Sequence, residues 1–92
     1  MPRLKLSDTA RADLLSILEH ISADNPAAAG RVVEVITARL DHLQVHPEIG
    51  RMGRVKGTRE LVIGTLPYIA VYRIGANQEI LRVLHGAQQW PR

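Results

Sequence analysis

Ninety-two residues carrying a net charge of +3 make one small domain with a thin core. Without cysteine there is no disulfide framework, no thiolate chemistry and no zinc site of the usual kind. No apolar run approaches the roughly 18–20 residues that span a bilayer, so no membrane-spanning helix is expected.

The remaining bulk features narrow the class further. The N-terminus lacks a basic segment followed by an apolar one, so no signal peptide is expected and a cytoplasmic location is the default. His20, His42, His46 and His85 are scattered and do not pair with carboxylates at metal spacing, so neither metal nor cofactor is expected. Charge is placed unevenly. Ser7 to Glu48 holds seven acids against three arginines, while Ile49 to Arg92 holds six arginines and one lysine against Glu60 and Glu79. Such asymmetry points to an acidic partner or a phosphate backbone, or to simple solvation of strands and loops.

Pro2 to Leu6 alternates apolar and basic residues, as a short strand with one buried face does. Ser7 offers an N-cap and Asp8 a first-turn acid, which open a helix over 8–23. Ala10, Leu14, Ile17, Leu18 and Ile21 form its apolar stripe, and Asp13 falls on its polar face. Asp24-Asn25-Pro26 ends that helix and starts a second from Pro26 to Val45, with the stripe Ala29, Val32, Val33, Ile36, Leu40 and Leu43. Two stripes joined by one short link make a helical hairpin that needs a sheet beneath it.

His46-Pro47 ends the second helix, and the stretch to Thr58 reads as a loop or an irregular edge strand. Strands follow at 59–63, 68–74 and 79–85, with turns at Gly64–Pro67 and Gly75–Gln78. The last two pair with Ile74 opposite Glu79, Tyr72 opposite Leu81, Ala70 opposite Val83 and Tyr68 opposite His85. Ile69, Val71, Arg73, Ile80, Arg82 and Leu84 then share the other face. The fold class is α+β: an N-terminal helical hairpin on a small twisted antiparallel sheet, in the order β-α-α-β-β-β, as a single domain over 1–92.

Several basic and aromatic residues carry candidate function. Arg51, Arg54 and Lys56 alternate with glycines in a basic loop that keeps charge in the open. Arg59 stands where this loop enters the sheet, as a phosphate contact or in a salt bridge to a neighbouring or helix carboxylate. Arg73 and Arg82 either cover apolar surface with their stems or bind a partner's carboxylate together. His85 reads as a proton carrier or as a histidine hydrogen-bonded at a strand end. Trp90 either packs onto the helices or waits for a partner.

Five phrases, taken with the order of elements, carry a resemblance: Asn25-Pro26-Ala27-Ala28-Ala29, Pro47-Glu48-Ile49-Gly50-Arg51, Gly57-Thr58-Arg59-Glu60-Leu61, Pro67-Tyr68-Ile69-Ala70-Val71-Tyr72-Arg73 and Arg82-Val83-Leu84-His85. From Leu4 to Pro91 the chain resembles the RelE/ParE superfamily of type II toxin–antitoxin toxins. The resemblance implies a growth-inhibiting toxin, of the kind tied to plasmid stabilisation, neutralised by a cognate antitoxin. That antitoxin would pair a DNA-binding domain with a flexible segment that wraps the toxin, so operator DNA is met only through it.

The superfamily divides by target. RelE-like members cut messenger RNA on the ribosome without a metal; ParE-like members inhibit DNA gyrase and are not enzymes in this sense. In the RelE-like pattern a catalytic arginine stands three residues before the strand tyrosine, and here Ile69 holds that position before Tyr72. The tail also lacks the tyrosine of many such nucleases. Lys56, Arg59 and His85 remain as candidate catalytic groups if the chain is a nuclease. The resemblance favours the ParE-like branch. A ribosome-dependent endoribonuclease is the alternative, as is a degenerate toxin that only binds its antitoxin.

Overall fold

The computed structural model describes residues 4–64 and 66–86. Its elements are β1 (Lys5–Leu6), α1 (Asp8–Asp24), α2 (Pro26–Val45), β2 (Arg51–Met52), β3 (Arg59–Val62), β4 (Tyr68–Arg73) and β5 (Glu79–His85). The expected order is found, with β2 as the edge strand in the stretch that lacked a period. The five strands lie in the order β1-β5-β4-β3-β2.

Local chemistry sets the helix ends. Ser7 Oγ accepts the Ala10 N–H at 3.0 Å and caps α1. Asn25 alone joins the two helices; it stays extended, accepts the Ala28 N–H and hands the chain to Pro26 at the start of α2. From α2, Val32, Ile36, Leu40 and Leu43 are buried against Leu61, Ile63, Ala70, Tyr72, Ile80 and Val83 of the sheet. Val33, expected in that stripe, is exposed. From α1 only Ala10 is fully buried; Leu14, Ile17, Leu18 and Ile21 pack at the margin.

The sheet is mixed where an antiparallel one is expected. β2 to β5 are antiparallel neighbours, but β1 joins β5 in parallel through Lys5–Glu79 and Leu6–Ile80. Two backbone bonds at β1 and the residue after it fix this direction: Lys5 N–H donates to the Gln78 carbonyl at 2.8 Å and Ser7 N–H to that of Ile80 at 2.9 Å.

The β4–β5 register holds at Tyr68–His85 and Ala70–Val83, then slips. Tyr72 faces Ile80, not Leu81, and Arg73 faces Glu79, because a bulge adds one residue to β5. The bulge lets Ile80 and Val83 both enter the core beneath the helices, which strict alternation forbids. Its irregular backbone is satisfied by α1 and its cap. Ser7 Oγ donates to the Leu81 carbonyl at 2.9 Å, and Asp13 Oδ2 accepts the Val83 N–H at 2.9 Å. Asp13 therefore lies against the sheet and not on a solvated helix face.

Candidate functional site: a basic lip on the sheet edge

β2 and β3 form a hairpin whose tip is Arg54-Val55-Lys56-Gly57. Gly53 N–H donates to the Thr58 carbonyl at 2.8 Å, and Thr58 returns both its N–H and its hydroxyl to the Val55 carbonyl. Gly57 closes the turn at φ +84°, where a side chain is strained. A Cβ on Gly53 would collide with Thr58 Oγ1. Glycines thus tighten this loop, where the sequence suggests they keep it open.

A buried carboxylate organises the hairpin. Glu60 stands opposite Val71, on the sheet face turned away from the helices, and its side chain is nonetheless only 1 % exposed. Its Oε2 accepts the Arg54 backbone N–H at 2.9 Å and Arg54 Nε at 3.1 Å, and Oε1 accepts Arg51 Nη2 at 3.2 Å. Burial by itself pushes this carboxyl up. The side-chain and backbone hydrogen bonds from Arg54, then that from Arg51, outweigh it and hold the group below its usual range. The two arginines remain 59 % and 40 % exposed, so each keeps part of its side chain in water while the nitrogens that face Glu60 are fixed. Lys56 is exposed at the tip. The result is a cationic lip set in advance by an anion underneath it.

Behind the lip lies a second lock. Tyr72 is fully buried, donates its hydroxyl to the Pro47 carbonyl at 2.7 Å and accepts the Gly50 N–H at 2.9 Å. Burial raises its phenol above the ordinary value, against weaker lowering by the Gly50 hydrogen bond and by Arg59. The phenol stays protonated and committed at neutral pH. Arg59 Nη1 reaches the Gly50 carbonyl at 2.9 Å and the Glu48 carbonyl at 3.3 Å. Tyr72 and Arg59 together pin 47–50, the segment that leads into the lip.

The other candidates lie elsewhere. Arg82 meets its carboxylate within the chain: Nε and Nη2 contact the two oxygens of Asp13 at 2.8 and 3.1 Å. Arg73 pairs with Glu79 at 2.6 Å on the surface. His85 stands edge-on to Tyr68, with ring centroids 6.0 Å apart. Tyr68 and Tyr72 are four residues apart on β4, which places His85 and Arg59 about 13 Å apart along the strands. Lys56, Arg59 and His85 are not brought into one site. Ile69 is 7 % exposed, on the sheet face turned away from the core cluster. Trp90 lies outside the described residues. Among the described residues no three metal-ligating side chains converge, and no helix is long and apolar enough to cross a membrane.

Sequence reasoning misses Glu60 and the Tyr72 lock. The available signal for Glu60 is one acid inside the run Glu60-Leu61-Val62-Ile63, nine and six residues after two arginines.

Comparison with known proteins agrees with this architecture. Residues 4–90 match the family model described as the ParE toxin of the type II toxin–antitoxin system, parDE. A Sinorhizobium fredii (strain NBRC 101917 / NGR234) protein named "Putative toxin Y4kP" is 47 % identical over 94 aligned residues, covering 100 % of this chain and 98 % of that one. "Toxin RelE3" of Caulobacter vibrioides is 27 % identical over 92 residues, covering 97 % and 99 %. A solved structure titled "Chromosomal ParDE TA system from P. aeruginosa" superimposes with a TM-score of 0.83 at 31 % identity, over 92 % of this chain and 96 % of that one.

Proposed function

The chain belongs to the ParE family of type II toxin–antitoxin toxins, and on that premise we propose that it acts by binding and inhibiting DNA gyrase, with the basic lip as the contact surface. It is a toxin with an antitoxin partner. The observation that carries the gyrase reading is the sheet itself. Ile69, in the position where RelE-like nucleases resemble one another in carrying arginine, is a buried aliphatic side chain. The remaining acid–base candidates are dispersed or tied to backbone carbonyls. A preset cationic surface, by contrast, suits recognition without chemistry. It also suits an acidic antitoxin segment, and such an antitoxin would bring the complex to operator DNA.

Purified toxin free of antitoxin tests this in a gyrase supercoiling assay. Inhibition, or trapping of cleaved DNA, is the expected result. No effect at large molar excess of folded protein overturns the reading. The second reading, a ribosome-dependent endoribonuclease, is kept by the likeness to Toxin RelE3, and message cleavage in a translating extract would be its signature.

The lip itself is tested by charge removal. Truncating Arg51, Arg54 and Lys56 alone would leave the buried Glu60 carboxylate without a cationic partner, held only by the Arg54 backbone N–H. The informative variant is Arg51→Gln, Arg54→Gln and Lys56→Gln combined with Glu60→Gln, which removes the lip's charges together with the buried carboxylate and leaves Arg59 in place. Its inhibitory potency should fall by about tenfold or more, with a weaker dependence on salt. Full potency in a folded variant removes the lip from the target surface.

A further inference from the structure

The C-terminal end of α2 carries a feature that lies outside the basic lip. His42 lies in the last turn of α2 and His46, four residues on, is its C-cap; the two side chains meet at the helix end. Their ring centroids are 4.7 Å apart and the rings are tilted at 45°. Both residues are exposed. Among the described residues no hydrogen bond or ion pair engages either ring, whereas the last backbone bond of the helix joins the same two residues, His46 N–H to the His42 carbonyl at 2.9 Å.

We infer that His42 and His46 form a two-nitrogen chelate for a late first-row divalent ion, Cu²⁺ before Ni²⁺ and Zn²⁺. Two imidazole nitrogens at metal–nitrogen distances of about 2.0–2.1 Å around one ion stand about 2.9 Å apart in the tetragonal geometry of Cu²⁺ and about 3.3 Å apart in a tetrahedral one. Rings whose centroids are 4.7 Å apart reach either spacing by side-chain rotation without moving the helix. Late divalent ions prefer imidazole, with Cu²⁺ bound most strongly. The partial negative charge of the helix C-terminus favours a cation there. No third histidine, cysteine, aspartate or glutamate completes a set among the described residues, so water fills the other positions. This is a two-donor site and not a closed structural zinc centre.

The bound ion acts as a brace. His46 is the C-cap of α2, and its carbonyl accepts the Ile49 N–H at 3.2 Å. An ion spanning positions 42 and 46 therefore clamps the turn from which Pro47 and Gly50 run to the Tyr72 lock. Metal binding stabilises the chain that leads into the lip.

The test is titration of the full chain, prepared without a histidine tag, with CuCl₂. Calorimetry should show one ion per chain, electron paramagnetic resonance should show two nitrogen donors, and the thermal midpoint should rise. His42→Gln and His46→Gln should each weaken binding on the order of a hundredfold, the scale of tethering a second ligand. His20→Gln should bind as the parent does. Circular dichroism of the metal-free variants checks that each is folded, which these exposed positions permit. Equal affinity in the parent and in the His42→Gln/His46→Gln double variant would place the ion elsewhere and overturn the inference. Absence of Cu²⁺ binding by the parent would overturn it too.

Discussion

Replacing Glu60 with alanine is expected to cost about 2–3 kcal/mol of folding stability. The side chain is enclosed and its two oxygens hold the Arg54 backbone N–H and two guanidinium groups. Removing the carboxylate leaves that N–H without its acceptor and two arginines facing each other. A fully buried pair broken in this way costs about 3–5 kcal/mol. Arg51 and Arg54 are half-exposed and can turn back to water, so the loss falls below that range. Glu60→Gln keeps an acceptor in place and should cost about half as much. Urea denaturation of the three proteins measures both effects. In a domain of this size about 5–14 kcal/mol is the whole stability, so the alanine variant should also lose yield in cells.

The same group sets a pH dependence. Its folded-state value is held below the unfolded one, near 4.5. Stability from Glu60 is therefore fully present above the unfolded value, and it is lost as pH falls through the folded value. Between neutrality and about pH 5 the parent and the Glu60→Gln variant should differ by a constant amount. Below that the two denaturation midpoints should converge. A gap that widens toward acid would mean the sign is reversed. Because the carboxylate is what fixes Arg51 and Arg54, acid should also loosen the lip before it melts the core.

What sequence conveys here follows from how local each interaction is. Ser7, Asn25 and Pro26 act on residues within one turn, so both helices are legible almost to their ends. The apolar periods of α2 and β4 place the core, and the charge count places the lip. The bulge in β5 is not legible, because its backbone is satisfied by Ser7 and Asp13, 74 and 70 residues earlier. Alternation shows which residues share a face but not which neighbouring strand runs parallel, so β1 gives no hint of its direction. Glu60 is hidden for a related reason. A single acid in an apolar run looks like a solvated edge until the hairpin returns Arg51 and Arg54 over it. Arg82 shows the opposite case: its carboxylate partner comes from α1 and not from another molecule.

The lock around Tyr72 carries the largest single expected loss. Tyr72→Ala empties the most voluminous fully buried side-chain position among the described residues and should cost about 3–5 kcal/mol, enough to threaten folding of so thin a core. Tyr72→Phe isolates the hydroxyl. It leaves the Pro47 carbonyl and the Gly50 N–H unpaired behind the lip and should cost about 1–3 kcal/mol. Gly50→Ala attacks the same contact from the other side, since a Cβ there would stand 2.5 Å from the Tyr72 oxygen and 2.6 Å from its ring. The ring is enclosed and cannot swing away, so the backbone at 50 must move, at about 1–3 kcal/mol. Both changes break the one hydrogen bond. Their combination should therefore fall short of the sum by at least about 0.5 kcal/mol. Amide exchange at Gly50 separates this from general loosening: the phenylalanine variant should expose that one amide while Ile63 and Val83 stay protected. If Gly50 exchanges slowly in Tyr72→Phe, the phenol is not what holds 47–50 in place, and Arg59 alone must carry the segment that presents the lip.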